Sequence, residues 1–169
     1  MTAPLPRPPV VLSIAGSDPS GGAGIQADLK TASALGAYGT CVMTALTSQS
    51  TTGVTDVHEV PVGTVRSQIA TLVEDVRIDV VKIGMLSSAA IAETVHEALT
   101  SGPLASVPVV LDPVMVSTSG SRLLSEDAVA AVRAMVPRAD VITPNVPEAA
   151  VLLGEDPVDS TDSLAAQSI

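Results

Sequence analysis

The chain has 169 residues, of which 46% are apolar and 15% charged, so it is long enough for one domain, or most of one, and too apolar to be disordered. A net charge of −10, with Tyr38 as the single aromatic residue, argues against a nucleic-acid partner, because such proteins need basic surfaces and stacking side chains. The lone Cys41 excludes an internal disulfide, and without a signal peptide or an apolar stretch approaching ~20 residues we expect no membrane partner and a cytoplasmic location.

Short apolar runs alternate with helical patterns along most of the chain. Strands are expected at residues 10–15, 40–47, 54–60, 80–83, 107–111 and 141–143, and helices at residues 24–35, 63–76, 88–100 and 125–136, with a short helix ending at Leu153. The alternating pattern at 54–60 indicates a half-exposed strand. Elements in this order predict an α/β fold with a parallel or mixed sheet covered on both faces.

The two ends of the chain differ from the rest. Residues 1–9 are rich in proline and are expected to be a flexible N-terminal segment, whereas residues 10–169 belong to a single domain. Residues 162–169 begin like a capped helix and stop after about two turns, too short to be stable alone. We interpret this pattern as a domain that continues beyond Ile169.

A glycine-rich loop at residues 16–24 follows the first predicted strand. Its glycines allow close backbone approach and turn N–H groups outward. It is not a Walker-type phosphate loop, because Gly22 stands where lysine is required. Residues 22–27 match a dinucleotide-binding pattern, but no acidic residue at positions 40–55 is present to bind a ribose. A turn that merely starts the next helix explains the loop as well.

Asp28 lies on the apolar face of the helix that follows this loop. A carboxylate that faces inward is unfavourable unless it is paired or hydrogen-bonded. Asp28 therefore either complements the helix N-terminus or accepts hydrogen bonds from an amine or hydroxyl group of a small polar ligand.

Further polar residues follow other strands, at the edge where α/β sheets bind ligands. Gln49 lies in a polar loop, Asp112 begins another, and Met85 is of a type that usually fills cores. Asn145 and Glu148 match a helix capping box and equally match oxygen ligands of Mg²⁺.

The remaining chemistry-bearing residues indicate no separate site. Lys82 lies within a strand, so its side chain is expected to stand across the sheet rather than at its edge. His58 and His96 are predicted to be solvated, and Cys41 to lie in the core. We find no Ser/His/Asp set and no metal-binding Cys/His cluster in the sequence.

Five segments in order along the chain form a specific combination of motifs. They are residues 15–31 (AGSDPSGGAGIQADLKT), 34–39 (ALGAYG), 82–86 (KIGML), 111–115 (LDPVM) and 143–148 (TPNVPE). Together they resemble the hydroxymethylpyrimidine/phosphomethylpyrimidine kinases of thiamine biosynthesis. The resemblance implies a ribokinase-like three-layer α/β/α fold with a central, mostly parallel sheet. It also implies that ATP and Mg²⁺ are used to phosphorylate 4-amino-5-hydroxymethyl-2-methylpyrimidine and then its monophosphate.

The same resemblance implies roles for individual residues. The residues that match the pyrimidine site are Gly16, Asp28, Gln49, Met85 and Val114. Asp112 and Glu148 match positions tied to Mg²⁺, and Asn145 matches one tied to the phosphates. No segment matches the C-terminal anion hole of the family, which holds its catalytic residue. We therefore expect this chain to carry mainly the pyrimidine-binding half and to show little or no kinase activity alone, and we expect the full-length protein to be a homodimer.

Two other functions stay open at this point. A pyridoxal or pyridoxine kinase shares the implied fold, and comparing phosphorylation of the two substrates separates it from a pyrimidine kinase. A binding or regulatory module would keep the pyrimidine pocket without phosphoryl transfer, and the unmatched anion hole favours that hypothesis.

Overall fold

The computed structural model describes residues 7–115 and 126–155. The strands are β1 (Val10–Ala15), β2 (Tyr38–Met43), β3 (Ala45–Ser50), β4 (Gly53–Glu59), β5 (Val80–Ile83), β6 (Val109–Leu111) and β7 (Val141–Ile142). The helices are α1 (Gly24–Ala34), α2 (Val62–Asp75), α3 (Ala89–Thr100), α4 (Glu126–Met135) and α5 (Val146–Leu153). Short 3-10 turns at Gly102–Leu104 and Val136–Arg138 follow α3 and α4.

Five strands form a parallel sheet in the order β2-β1-β5-β6-β7. Strands β1 and β5 are apolar because both faces of the sheet are covered. Their fully buried residues include Leu12, Ile14, Val81 and Ile83. Helix α1 packs on β1 and β2, whereas α2, α3 and α4 pack against one another in sequence order. Right-handed connections place α1 on one face of the sheet and α2, α3 and α4 on the opposite face. The predicted three-layer α/β fold is confirmed.

The prediction of one continuous strand over residues 40–47 is wrong. Strand β2 ends before Thr44 and β3 begins after it, and β3 pairs only with β4, in a separate antiparallel hairpin. At the break, the Thr44 N–H makes the last hydrogen bond of the β1–β2 ladder, to the Ala15 carbonyl at 3.0 Å, and its hydroxyl donates to the Met85 carbonyl at 2.7 Å, across to the segment after β5. The chain therefore leaves the main sheet at a residue whose own type does not signal a break.

The hairpin formed by β3 and β4 projects from the main body of the sheet. Every residue of β4 is exposed, so the strand predicted near 54–60 exists but its predicted half-burial is wrong. Alternation of apolar and polar residues predicts one covered face only if a second layer lies beneath the strand. In the described residues no such layer covers Val54 or Val57, which are 43% and 44% exposed.

Parts of the predicted organisation lie outside the described residues. These are the Ser125 cap of the fourth helix, the helical start at 162–169 and residues 1–6 of the N-terminal segment. Within residues 7–115 and 126–155, none of the helices combines the length and apolar character needed to cross a membrane.

Candidate functional site

The carboxyl ends of the parallel strands meet at one edge of the sheet. Between β1 and β5 the direction of the chain connections reverses, and α/β sheets bind ligands at such a point. A cavity of about 350 Å³ opens here. Its wall is built from the ends of β1, β5 and β6, the first turns of α1 and the inner face of the β3–β4 hairpin.

Residues far apart in the sequence converge on this cavity. Six of the eight predicted site residues are in its wall: Gly16, Asp28, Gln49, Met85, Asp112 and Val114. Gly16, Met85, Asp112 and Val114 follow parallel strands, Asp28 lies on α1 and Gln49 lies on β3, so the parallel sheet and the hairpin together bring them to one place. Asn145 follows β7 at the same edge but, like Glu148, is not among the residues of the wall. Their roles in binding stay predictions.

The glycine-rich loop is folded around the buried carboxylate of Asp18, which is 2% exposed. Its Oδ1 accepts from the Ser20 N–H at 2.8 Å, and its Oδ2 accepts from the N–H groups of Gly22 at 3.0 Å and Ala23 at 2.8 Å. Burial acts to raise the pKa of Asp18, but the hydrogen bonds from Ser20, Ala23 and Gly22 overcome it and lower the pKa. The expectation that this loop turns free N–H groups outward is wrong, because the Asp18 side chain accepts from them.

Gly24 allows the loop to close against the end of β1. Its φ of 56° is left-handed, and a Cβ on it would collide with the Gly16 carbonyl oxygen. That carbonyl accepts the Ile25 N–H at 3.0 Å, which fixes the first turn of α1 to the strand. The same turn holds Asp28 over the cavity.

Asp28 faces inward from α1, as the sequence predicts. Its Oδ2 accepts from the Ser13 hydroxyl at 2.6 Å and from the Lys82 ammonium at 3.3 Å. Its Oδ1 makes no hydrogen bond within residues 7–115 and 126–155, and the side chain is 20% exposed. One oxygen is thereby fixed by the protein, and the other can accept a hydrogen bond from a ligand in the cavity.

Lys82 lies in the cavity wall, so the prediction that its side chain stands across the sheet and away from the edge is wrong. Its ammonium lies 3.3 Å from Asp28 Oδ2 and 3.5 Å from Asp112 Oδ2. Gly84 leaves room beside the ammonium, because a Cβ there would be 3.0 Å from both Lys82 Nζ and the Ala15 Cβ. The side chain therefore leans along the strand, past a residue without a Cβ, and reaches the sheet edge. The sequence signal for this placement was a lysine two positions before the glycine that ends the strand.

Apolar contacts and the hairpin shape the rest of the cavity. A Cβ on Gly16 would lie 2.6 Å from the Met85 methyl carbon, so the absence of a side chain at Gly16 makes room for Met85 in the wall. The Thr47 hydroxyl donates to the Ser17 carbonyl at 2.7 Å and ties the hairpin to the loop after β1. This bond holds Gln49, two residues further along β3, at the cavity.

Asn145 and Glu148 form the capping box of α5, one of the two interpretations that the sequence left open. Asn145 Oδ1 accepts the Glu148 N–H at 2.9 Å, and Glu148 Oε2 accepts the Asn145 N–H at 3.0 Å. Glu148 Oε1 also accepts the Met115 N–H at 3.3 Å, and the residue is 4% exposed. Glu148 thus joins α5 to the segment after β6, and an additional role in binding Mg²⁺ stays a prediction.

The other titratable residues lie apart from the cavity. His58 is exposed, as predicted, and His96 is half-buried on α3. Cys41 was predicted to lie in the core but is half-buried, because β2 is an edge strand; burial raises the pKa of its thiol. Across the ranges that the structure describes, no group of three or more His, Cys, Asp and Glu side chains could hold a metal ion.

Comparison with known proteins finds relatives over nearly the whole chain. The family described as phosphomethylpyrimidine kinase matches residues 18–168. The hydroxymethylpyrimidine/phosphomethylpyrimidine kinase of Streptomyces coelicolor is 50% identical over 165 residues, which cover 96% of this chain and 60% of that protein. The chain spans 60% or less of the length of the first curated relatives it matches.

Solved structures show the same similarity. A crystal structure of phosphomethylpyrimidine kinase from Clostridium difficile 630 superposes with a TM-score of 0.86 at 42% identity, covering 94% of this chain and 68% of that one. The ADP complex of Bacillus subtilis pyridoxal kinase superposes with a TM-score of 0.82 at 34% identity, covering 95% of this chain and 59% of that one.

Proposed function

Since this chain belongs to the phosphomethylpyrimidine kinase family, with its ribokinase-like fold, we propose that the whole protein is an ATP-dependent kinase of 4-amino-5-hydroxymethyl-2-methylpyrimidine and of its monophosphate. The observation that carries the proposal is the convergence of the predicted pyrimidine residues on one cavity at the switch point of the sheet. This chain would supply the pyrimidine site.

The chemistry of the cavity wall suits a small polar ring. A volume of about 350 Å³ is at the small end of the range of ligand pockets. Met85 and Val114 offer apolar surface to the faces of a ring. Asp28 Oδ1 can accept from an amino or hydroxyl group, and the Gln49 amide can both donate and accept. An aminopyrimidine has the donors and acceptors that these groups require.

We include ATP and Mg²⁺ in the proposal as cofactors. Asp112 fits a magnesium ligand, because its carboxylate is 34% exposed at the cavity and Mg²⁺ is usually held by one or two carboxylates together with substrate phosphates. Both oxygens of Glu148 already accept backbone N–H groups, so it would bind through its remaining lone pairs. Asn145 would lie toward the phosphates. When bound, the ion would neutralise phosphate charge during transfer.

Pyridoxal kinase activity is a second candidate, favoured by the structural similarity to the Bacillus subtilis pyridoxal kinase. Pyridoxal also has a small aromatic ring with a hydroxymethyl group, so the same cavity can admit it. The two candidates differ in the group that can donate a hydrogen bond to Asp28. The aminopyrimidine offers an exocyclic amino group, which pyridoxal lacks.

A homodimer and a cytoplasmic location complete the proposal for the full-length protein. The β3–β4 hairpin supports the dimer, because nothing in residues 7–115 and 126–155 forms a layer beneath its two strands, and such a hairpin alone is marginally stable in water. Side chains alternate along β3, so Leu46, 46% exposed, lies on the face opposite the cavity-lining Thr47 and is free to pack against a second copy.

Calorimetric titration of the 169-residue chain with the aminopyrimidine and with pyridoxal tests the proposal. We expect both to compete for one site and the aminopyrimidine to bind more tightly. Tighter binding of pyridoxal would favour the second candidate, and failure of a folded chain to bind either ligand would contradict both.

A further inference from the structure

The cavity wall has an uneven set of charges. Its ionisable residues in the described part of the chain are three carboxylates, Asp18, Asp28 and Asp112, and one ammonium, Lys82. The proposed first substrate is an uncharged alcohol, whereas the second is a phosphate monoester, which carries nearly two negative charges at neutral pH. A wall with this charge disfavours the second substrate unless a cation is directed at its phosphate.

Most N–H groups of the glycine-rich loop already donate to other groups of the protein, so the loop is a poor substitute for a cation. Three of its N–H groups, those of Ser20, Gly22 and Ala23, already donate to Asp18. Lys30, the other lysine of the sequence, donates to the Gly21 carbonyl from outside the cavity wall. Among the described residues, Lys82 is therefore the positive group that an anion in this cavity can reach.

The Lys82 ammonium has donors left for a ligand. It carries three N–H groups and, among the described residues, makes one hydrogen bond, to Asp28 Oδ2 at 3.3 Å. Its second neighbour, Asp112 Oδ2, lies at 3.5 Å, a looser ion-pair contact, and the lysine side chain is 25% exposed. An incoming phosphate oxygen can replace Asp112 as the second partner while the bond to Asp28 is kept.

We propose that Lys82 is the residue that recognises the phosphate of the monophosphate substrate, and so separates the second proposed substrate from the first. This inference rests on the proposed function. Lys82 would contribute little to binding of the alcohol, since that ligand brings no charge to the ammonium. Gly84 lies beside the ammonium, and a Cβ at this position would come within 3.0 Å of Lys82 Nζ.

The test measures the dissociation constants of the alcohol and of its monophosphate for the 169-residue chain by calorimetry. Lys82→Met should weaken binding of the monophosphate about 10- to 100-fold more than binding of the alcohol, as expected for the loss of a charge-assisted hydrogen bond. Lys82→Arg keeps the charge and should largely preserve the wild-type ratio. Arg66→Met is the matched control, because it also removes one positive charge. Arg66 lies on α2, where it forms an exposed ion pair with Glu97 of α3.

Gly84→Ala provides a second variant that retains every charge. The added Cβ would crowd the ammonium at 3.0 Å and should shift the ratio in the same direction as Lys82→Met, but by less, because the end of the lysine side chain needs to move only slightly. Equal weakening of both ligands would show that Lys82 acts only by holding Asp28, which would overturn the inference and leave the proposed function intact. Failure of the folded wild-type chain to bind the alcohol would overturn the proposed function and the inference with it.

Discussion

At the scale of single residues, two aspartates of similar appearance in the sequence have opposite roles. Asp18 is buried, and both of its oxygens accept hydrogen bonds from its own loop. Asp28 is anchored through one oxygen and leaves the other open at the cavity. The inward orientation of the Asp28 side chain could be predicted from helical spacing. The burial of Asp18 could not, because it depends on the path of a loop without periodicity.

Asp28→Asn is predicted to weaken binding of the aminopyrimidine about 10- to 100-fold, because a charge-assisted hydrogen bond to the ligand is lost. Calorimetry on the folded variant measures the effect. Asp75→Asn, an exposed position at the end of α2, is the matched control and should bind as the wild type does. Unchanged affinity in Asp28→Asn would mean that Asp28 serves only the packing of its helix.

Asp18→Asn is predicted to lower the free energy of unfolding by about 1–3 kcal/mol at neutral pH, because an amide cannot accept from donors on both sides. The pKa of Asp18 is lowered in the folded chain, so its contribution is present above the usual value of 3.8 and is lost as the pH falls through the lower folded value. Urea denaturation of wild type and variant should therefore converge in acid. A stability difference that persists unchanged in acid would contradict this account.

At the scale of elements, local patterns predicted most of the fold and failed where distant contacts decide. The apolar runs of β1 and β5 and the helical stripe of α2 carry their own signal, so the sequence located them. At the break, the Thr44 hydroxyl donates to the distant Met85 carbonyl, a contact that no window of sequence contains. The position of the Lys82 ammonium could not be predicted for the same reason, because it depends on how a long side chain leans along the sheet.

Helix α5 offers a test at this scale. Glu148→Ala is predicted to lower the free energy of unfolding by about 1–3 kcal/mol without any Mg²⁺, because the N–H groups of Asn145 and Met115 lose their acceptor. Glu93→Ala, on the exposed side of α3, is the control. If urea denaturation shows both variants to be equally stable, the capping box is not what fixes this carboxylate, and its predicted role in binding Mg²⁺ gains weight.

At the scale of the whole molecule, the position of the site follows from topology. The connection after β1 leads to β2 on one side of it, whereas β5 and the strands after it lie on the other side. A cleft therefore opens between the carboxyl ends of β1 and β5. The sequence predicted this edge because the candidate polar residues each follow a strand. It could not predict the hairpin that covers the cavity, since β3 and β4 form a sheet of their own.

The central claim is that this cavity is the pyrimidine site, and the methyl group of Met85 reports on it directly. With methionine methyl groups labelled by ¹³C, the Met85 signal should shift saturably on addition of the aminopyrimidine, because this methyl lies against Gly16 in the cavity wall. Met135, buried in the core, should keep its position and serves as the internal control. A Met85 signal that stays fixed at saturating ligand, or moves no more than that of Met135, would contradict the account.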